Sequence, residues 1–285
     1  MLGRLKIYAD LLKIEHTVFA LPFALASVVI LMKDAPTLEK ILFISLALVS
    51  ARLTGMAFNR LLDREFDAKN PRTSLWPHAL GLVKTREIKA IIVIFSLVFV
   101  LSCALINRLA LYLSPVVILL LFLYPLAKRF TYYPHFILGL VYLLIPVAVD
   151  VSLNERISLS ALFLGIGMAT WVSGFDILYS LQDYDFDLKM GLKSIPVRFG
   201  KGGAIRLSRF LHLLTFLSLL LLGLFYYPAG WIYFIGLMAI AAFLWYEHLL
   251  ISEKDLSKIN RAFFTVNGFV SILFFLIVLL DRFIT

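Results

Sequence analysis

Apolar residues in this chain fall in long runs separated by short polar punctuation. Nine runs, at roughly 16–33, 40–60, 88–107, 109–127, 133–151, 158–181, 206–226, 230–250 and 262–281, are each close to the ~20 residues with which a helix crosses a bilayer. They are predicted to be helices, because no water is present in lipid to satisfy an open backbone. Most connections are short: Asn107-Arg108 and Tyr227-Pro228-Ala229-Gly230 read as tight turns. Two are long, polar and charged, at 61–87 and 182–205. The pattern predicts an all-α, polytopic membrane protein of nine transmembrane helices, with residues 1–285 forming a single domain.

Composition agrees. Hydrophobic residues make up 61% of the 285 positions and charged residues 16%, against about 45–50% and about 25% in soluble domains. The net charge of +9 would suggest nucleic acid in a soluble chain. Here the basic residues lie between apolar runs, which points to membrane orientation and a phosphorylated substrate. With the N-terminus cytoplasmic, 21 of the 27 Lys and Arg residues fall on the cytoplasmic side and five outside, with Arg52 inside a span. That bias favours the N-terminus inside, which puts both long loops on the cytoplasmic face of a cell inner membrane. The amphipathic, basic stretch Met1–Lys13 is followed by no small-residue cleavage site, so the first run is expected to stay as a span. The lone Cys103 lies in an apolar run, so no intramolecular disulfide and no cysteine zinc site can form.

The chemistry gathers at two span ends. Asn59, Asp63 and Asp67 recur every four residues, and on a continuing helix they share one face. Asp176, Asp183 and Asp187 recur at seven and four, again on one face, with Asp185 off it. A single Asp-x-x-x-Asp is a common solvated pattern. Two at span ends on the same side are not. Facing carboxylates repel unless a cation lies among them, and an all-oxygen donor set favours magnesium or calcium. Such ions can hold a diphosphate, with Arg64, Arg72, Lys128, Arg129 and Lys193 neutralising the remaining phosphate charge. Arg52 lies seven residues before Asn59 on the same face, deeper in the membrane. An arginine there faces the protein interior or a cavity: it either makes a structural ion pair, with Asp176 for example, or clamps a substrate carboxylate through two parallel hydrogen bonds. His16, His78, His135, His212 and His248 show no ligand spacing. A cation-coupled transporter would instead carry ionisable groups along a path to both faces; here the outer half is apolar apart from Asp150 and Glu155, expected in a loop.

Arg52-x-x-Gly55-x-x-x-Asn59-Arg60-x-x-Asp63-Arg64-x-x-Asp67 and the following Asn70-Pro71-Arg72-Thr73 resemble the first motif of UbiA-type aromatic prenyltransferases. Asp176-x-x-Tyr179-x-x-x-Asp183-x-x-x-Asp187-x-x-x-Gly191-x-Lys193-Ser194 resembles the second, and Tyr124-Pro125-x-x-Lys128-Arg129 a further signature. The opening Lys13–Ala24 is similar to the 4-hydroxybenzoate polyprenyltransferase branch. The resemblance implies a nine-helix bundle around a central cavity and transfer of a polyprenyl group from its diphosphate to 4-hydroxybenzoate, in quinone synthesis. A naphthoate acceptor of menaquinone synthesis is the alternative. It implies that Asn59, Asp63, Asp67, Asp183 and Asp187 hold Mg2+ and diphosphate, with Asp176 beside them as a catalytic group. It further implies that Arg72, Lys128 and Lys193 contact the diphosphate, that Tyr124 and Tyr179 are substrate-binding, and that Arg52 meets the aromatic carboxylate. The expected partners are the two substrates and membrane lipid, with no nucleic acid. Many relatives carry Asp where this chain has Arg60, so the first metal site is expected to rely on Asn59, Asp63 and Asp67.

Overall fold

The computed structural model describes residues 2–14 and 17–284. Glu15 and His16, in the middle of the opening segment, lie outside the described residues. The described chain is all helix and turn: α1 (Leu2–Leu12), α2 (Thr17–Leu31), α3 (Leu38–Leu62), α4 (Arg64–Lys69), α5 (Thr85–Ile106), α6 (Arg108–Phe130), α7 (Pro134–Asn154), α8 (Leu159–Ser180), α9 (Tyr184–Met190), α10 (Ile195–Leu221), α11 (Trp231–Leu249) and α12 (Asn267–Ile284). Among the described residues, eight helical stretches are long and apolar enough to cross a membrane. The first expected span corresponds to α2, a 15-residue helix that contains Pro22. The turn expected at Asn107-Arg108 is tighter still: Asn107 alone separates α5 from α6.

The residues divide into two compact units. In the first, α3 packs against α5 and α6, and α1 lies on α3. Its core is Leu11, Leu12, Ala57, Val83, Ile88 and Ile92. In the second, α8 packs between α7 and α10, and α11 pairs with α12. Phe23 of α2 stacks on Trp171 of α8 and on Phe274 of α12, at 5.7 and 4.7 Å between centroids. Large apolar side chains such as Leu97, Leu101, Leu105, Phe225 and Trp245 are exposed, as expected where lipid rather than water is the solvent.

Two buried acids away from the motifs, Asp150 and Asp281, act as caps. Asp150 is buried in the last turn of α7 rather than in a loop. It accepts from the Ser158 N–H and from Asn154 Nδ2, each at 2.7 Å, and Asn154 also donates to the Leu31 carbonyl at 3.0 Å. Asp281 of α12 accepts from the N–H groups of Gly230 and Tyr233, at 3.0 and 2.9 Å, and so caps the start of α11. Both satisfy helix-start donors that lipid could not satisfy.

Candidate active site

The first acidic motif does not run along one continuous helix. α3 stops at Asp63, whose φ and ψ are −95° and 2°, and α4 restarts at Arg64. The second motif breaks the same way: a short 3-10 turn, Leu181–Asp183, separates α8 from α9, and Asp183 has φ −96° and ψ 0°. The two motifs therefore share a local design, a spanning helix broken at the middle aspartate and followed by one to two turns of helix. In the second, α9 ends at Gly191 with φ +67°, a left-handed cap that glycine adopts without strain. Expecting one shared face along each motif was sound up to this break and not beyond it.

In the first unit the acids and bases are densely paired. Asp63 is buried. Lys128 Nζ donates to its Oδ2 at 2.7 Å, Asn59 Nδ2 donates to the same oxygen at 3.1 Å, and Arg129 lies 3.9 Å from Oδ1. Oδ1 is buried and has no hydrogen-bond partner. Burial raises the Asp63 pKa above the ordinary carboxylate value against the pull of Lys128, and neighbouring Asp67 adds to the rise. Asp67 goes the other way. Burial pushes it up, but a 2.7 Å hydrogen bond from His78 and the Arg60 charge at 3.9 Å bring it below the usual value.

Arg60 is buried. It donates through Nε to the Leu11 carbonyl at 3.0 Å and through Nη1 to Asn59 Oδ1 at 3.1 Å. It also lies 4.2 Å over the Trp76 ring, near which Arg72 and Lys13 stand at 5.4 and 5.6 Å. Arg60 thus places a fixed positive charge beside Asn59 and Asp67, and it donates to the Asn59 side-chain oxygen.

Arg52 takes up the last carbonyls of α1: Nη1 donates to Leu12 O at 3.4 Å and Nη2 to Lys13 O at 2.7 Å. Lys13 sits at φ +48°, the left-handed position after a helix. A guanidinium there meets the negative end of the α1 dipole. Arg52 therefore has a structural role in addition to any role toward substrate. Tyr124 lies one turn before Lys128 on α6.

In the second unit Asp176 is still within α8, one turn from its end, whereas Asp183 and Asp187 lie beyond it. His135, at the start of α7, stands 2.7 Å through Nδ1 from Asp176 Oδ2. Tyr179 stacks on Phe263 at 4.0 Å. Lys193 and Arg198 lie 5.6 and 5.4 Å over the Tyr132 ring. Sequence reasoning missed His78 and His135, because they lie 11 and 41 residues from the aspartates they bind and the chain leaves the helix between the partners in each case.

Among the described residues, no three or more His, Cys, Asp and Glu side chains gather as a metal-holding group. The unpartnered, buried Asp63 Oδ1 and an all-oxygen set still fit a hard divalent ion, since magnesium takes one or two carboxylates and completes its shell with water and phosphate.

The UbiA prenyltransferase family model matches residues 20–275. The 4-hydroxybenzoate octaprenyltransferase of Pseudomonas entomophila (strain L48) is 35% identical over 251 residues, covering 87% of this chain and 82% of that one. The apo structure of a UbiA homologue from Aeropyrum pernix K1 superposes with a TM-score of 0.84 at 31% identity, over 94% of this chain and 98% of that one. A UbiA homologue from Archaeoglobus fulgidus bound to DMAPP and Mg2+ shares the fold, with a TM-score of 0.75 at 17% identity over 98% and 99% of the two chains. The chain is a multi-pass membrane protein of the prenyltransferase class. It belongs to the UbiA prenyltransferase family.

Proposed function

We propose that this protein transfers a polyprenyl group from a polyprenyl diphosphate to the ring of 4-hydroxybenzoate, a step of quinone synthesis. Its octaprenyltransferase relatives act on that acceptor, and they match over most of both chains. The observation that carries the reading within the protein is Asp63, buried with one oxygen unpartnered and the other held by Lys128 at 2.7 Å. A buried carboxylate oxygen without a hydrogen-bond donor can accept a hard divalent ion. We further propose nine spans, counting α2, a cytoplasmic N-terminus, an inner-membrane location with the reaction on the cytoplasmic side, and one functional domain comprising both units.

In this reading Asn59, Asp63, Asp67, Asp183 and Asp187 hold Mg2+ and the diphosphate, with Arg72, Lys128 and Lys193 neutralising phosphate charge. Bound magnesium supplies charge stabilisation to the leaving diphosphate. Tyr124 lies near the diphosphate, Tyr179 is substrate-binding, and Arg52 holds the acceptor carboxylate. Lys128 has two tasks: it pulls the Asp63 pKa down against the larger upward push of burial, and it supplies a cation as diphosphate charge develops. Holding ring and allylic carbon together removes much of the entropic barrier. The ring's electron pair then forms the new carbon–carbon bond as the carbon–oxygen bond breaks.

The test is turnover in purified membranes with geranyl diphosphate and 4-hydroxybenzoate, with and without Mg2+. Magnesium-dependent prenylated 4-hydroxybenzoate supports the reading. Product only with a naphthoate acid would move the acceptor. No product with any aromatic acid would overturn it.

A further inference from the structure

The ring that gains a prenyl group must lose a proton. We propose that Asp176 takes this proton and that His135 is the positioning residue that aims it; the inference rests on the functional reading above.

Asp176 differs from the other acids of its motif. It lies within a spanning helix, where an ionisable group needs a partner or a task. Its partner is a histidine rather than a lysine or arginine, 2.7 Å away. An ionised carboxylate only accepts, so His135 Nδ1 carries the hydrogen and donates it to Asp176 Oδ2. His135 is buried, and its Nε2 has no hydrogen-bond partner. Asp176 is therefore a carboxylate oriented by an imidazole N–H, whereas Asp63 is held by a lysine ammonium.

Accessibility assigns the roles. The Asp176 side chain keeps 18% of its surface exposed and that of His135 only 5%, so the carboxylate is the group a substrate can reach. Its environment is built to stay put. Ser173 Oγ donates to the His135 carbonyl at 3.0 Å. Gly139 lets α7 approach α8 so closely that an added Cβ would sit 2.9 Å from the Ala169 carbonyl oxygen and closer still to Ser173 Oγ. Phe175 and Tyr179, flanking Asp176 on α8, both rest on Phe263, at 5.3 and 4.0 Å, which supplies apolar, aromatic surroundings.

The step balances. The allylic carbon–oxygen bond breaks and its electron pair leaves with diphosphate. A ring π pair forms the carbon–carbon bond. Asp176 then takes the proton from that ring carbon, and the C–H electron pair restores aromaticity. The neutral acid returns its proton to water after product leaves.

The test separates donor ionisation from ring chemistry, using Asp176→Asn and His135→Gln with geranyl diphosphate, Mg2+ and 4-hydroxybenzoate deuterated on the ring. Wild-type turnover reports on the functional reading; the variants report on this one. In Asp176→Asn, diphosphate release is expected to persist, with geraniol from water capture replacing ring product, whose rate falls by about 10²–10⁴-fold, the usual worth of a positioned general base. In both variants the residual ring product is expected to show a primary deuterium effect absent from wild type, and unchanged thermal unfolding shows the bundle intact. Loss of diphosphate release in step with ring product would make Asp176 part of donor binding and overturn the proposal. Wild-type ring prenylation in Asp176→Asn, or no isotope effect in either variant, would also overturn it.

Discussion

Lys128→Met removes one charge and keeps the aliphatic stem, so it isolates the ion pair on Asp63. In the wild-type protein the ammonium lies 2.7 Å from a carboxylate whose side chain is 4% exposed. Breaking a buried pair costs about 3–5 kcal/mol when the surviving charge is sealed in. Two features lower the figure here: Lys128 is itself 27% exposed and Arg129 remains 3.9 Å away. The expected loss at neutral pH is therefore about 1.5–3 kcal/mol, the range for a hydrogen bond to a charged group. The loss depends on pH in a definite direction. Burial already holds the Asp63 pKa above its unfolded value, so ionised Asp63 opposes folding, and its contribution improves as pH falls through the folded pKa. Removing Lys128, which lowers that pKa, raises it further. The variant's deficit should then be largest at pH 8 and shrink on acidification, since a protonated Asp63 needs no cation. Thermal unfolding of the metal-free protein in detergent, followed by near-ultraviolet circular dichroism from pH 5 to 8, measures this. A deficit that is constant across the range, or none at pH 8, would refute the ion-pair account. Asp63→Asn added to Lys128→Met should recover most of the lost stability, and neither protein should turn over.

Arg52→Ala removes two donors from the last carbonyls of α1, so α1 should loosen, seen as faster proteolysis near Lys13, at about 1.5–3 kcal/mol; if Arg52 also holds the acceptor, the KM for 4-hydroxybenzoate rises while that for the donor does not. Gly139→Ala forces α7 off α8, with an expected cost of about 1–3 kcal/mol and a fall in ring prenylation through the displaced His135; thermal unfolding and turnover check both. Asp281→Ala uncaps α11 and should lower stability by about 0.5–2 kcal/mol with per-molecule turnover unchanged at a temperature where both proteins are folded. Chelating Mg2+ should abolish turnover reversibly, recovered on adding magnesium back.

Much of the membrane plan could be read along the chain, because a span needs only length and apolarity. Those are local properties, and α3, α5, α6, α7, α8, α10, α11 and α12 answer to eight of the expected runs. The acidic motifs were equally legible, since spacings of four and seven report a helix face directly. Their central break was not. Asp63 and Asp183 stop the helix at nearly the same backbone angles, and no proline or glycine marks either position. Asp150 looked like a loop acid at a span end, and only the Ser158 N–H and Asn154 amide that it accepts from show it to be a cap.

The partners of the charges lay furthest from the sequence. Period and composition could say that Arg52 inside a span needs an interior role, but not that the role includes the end of α1, about 40 residues away. They could say that Arg60 adds a positive charge within the first acidic motif, but not that it binds Leu11, Asn59 and the Trp76 face at once. His78 and His135 carried no signal at all until folding brought them to Asp67 and Asp176. The physical reason is common to all of these. Hydrophobic length is a sum over neighbouring residues, so it is written in order along the chain; desolvation and hydrogen-bond pairing depend on which distant side chains close around a group, and only the packed helices decide that.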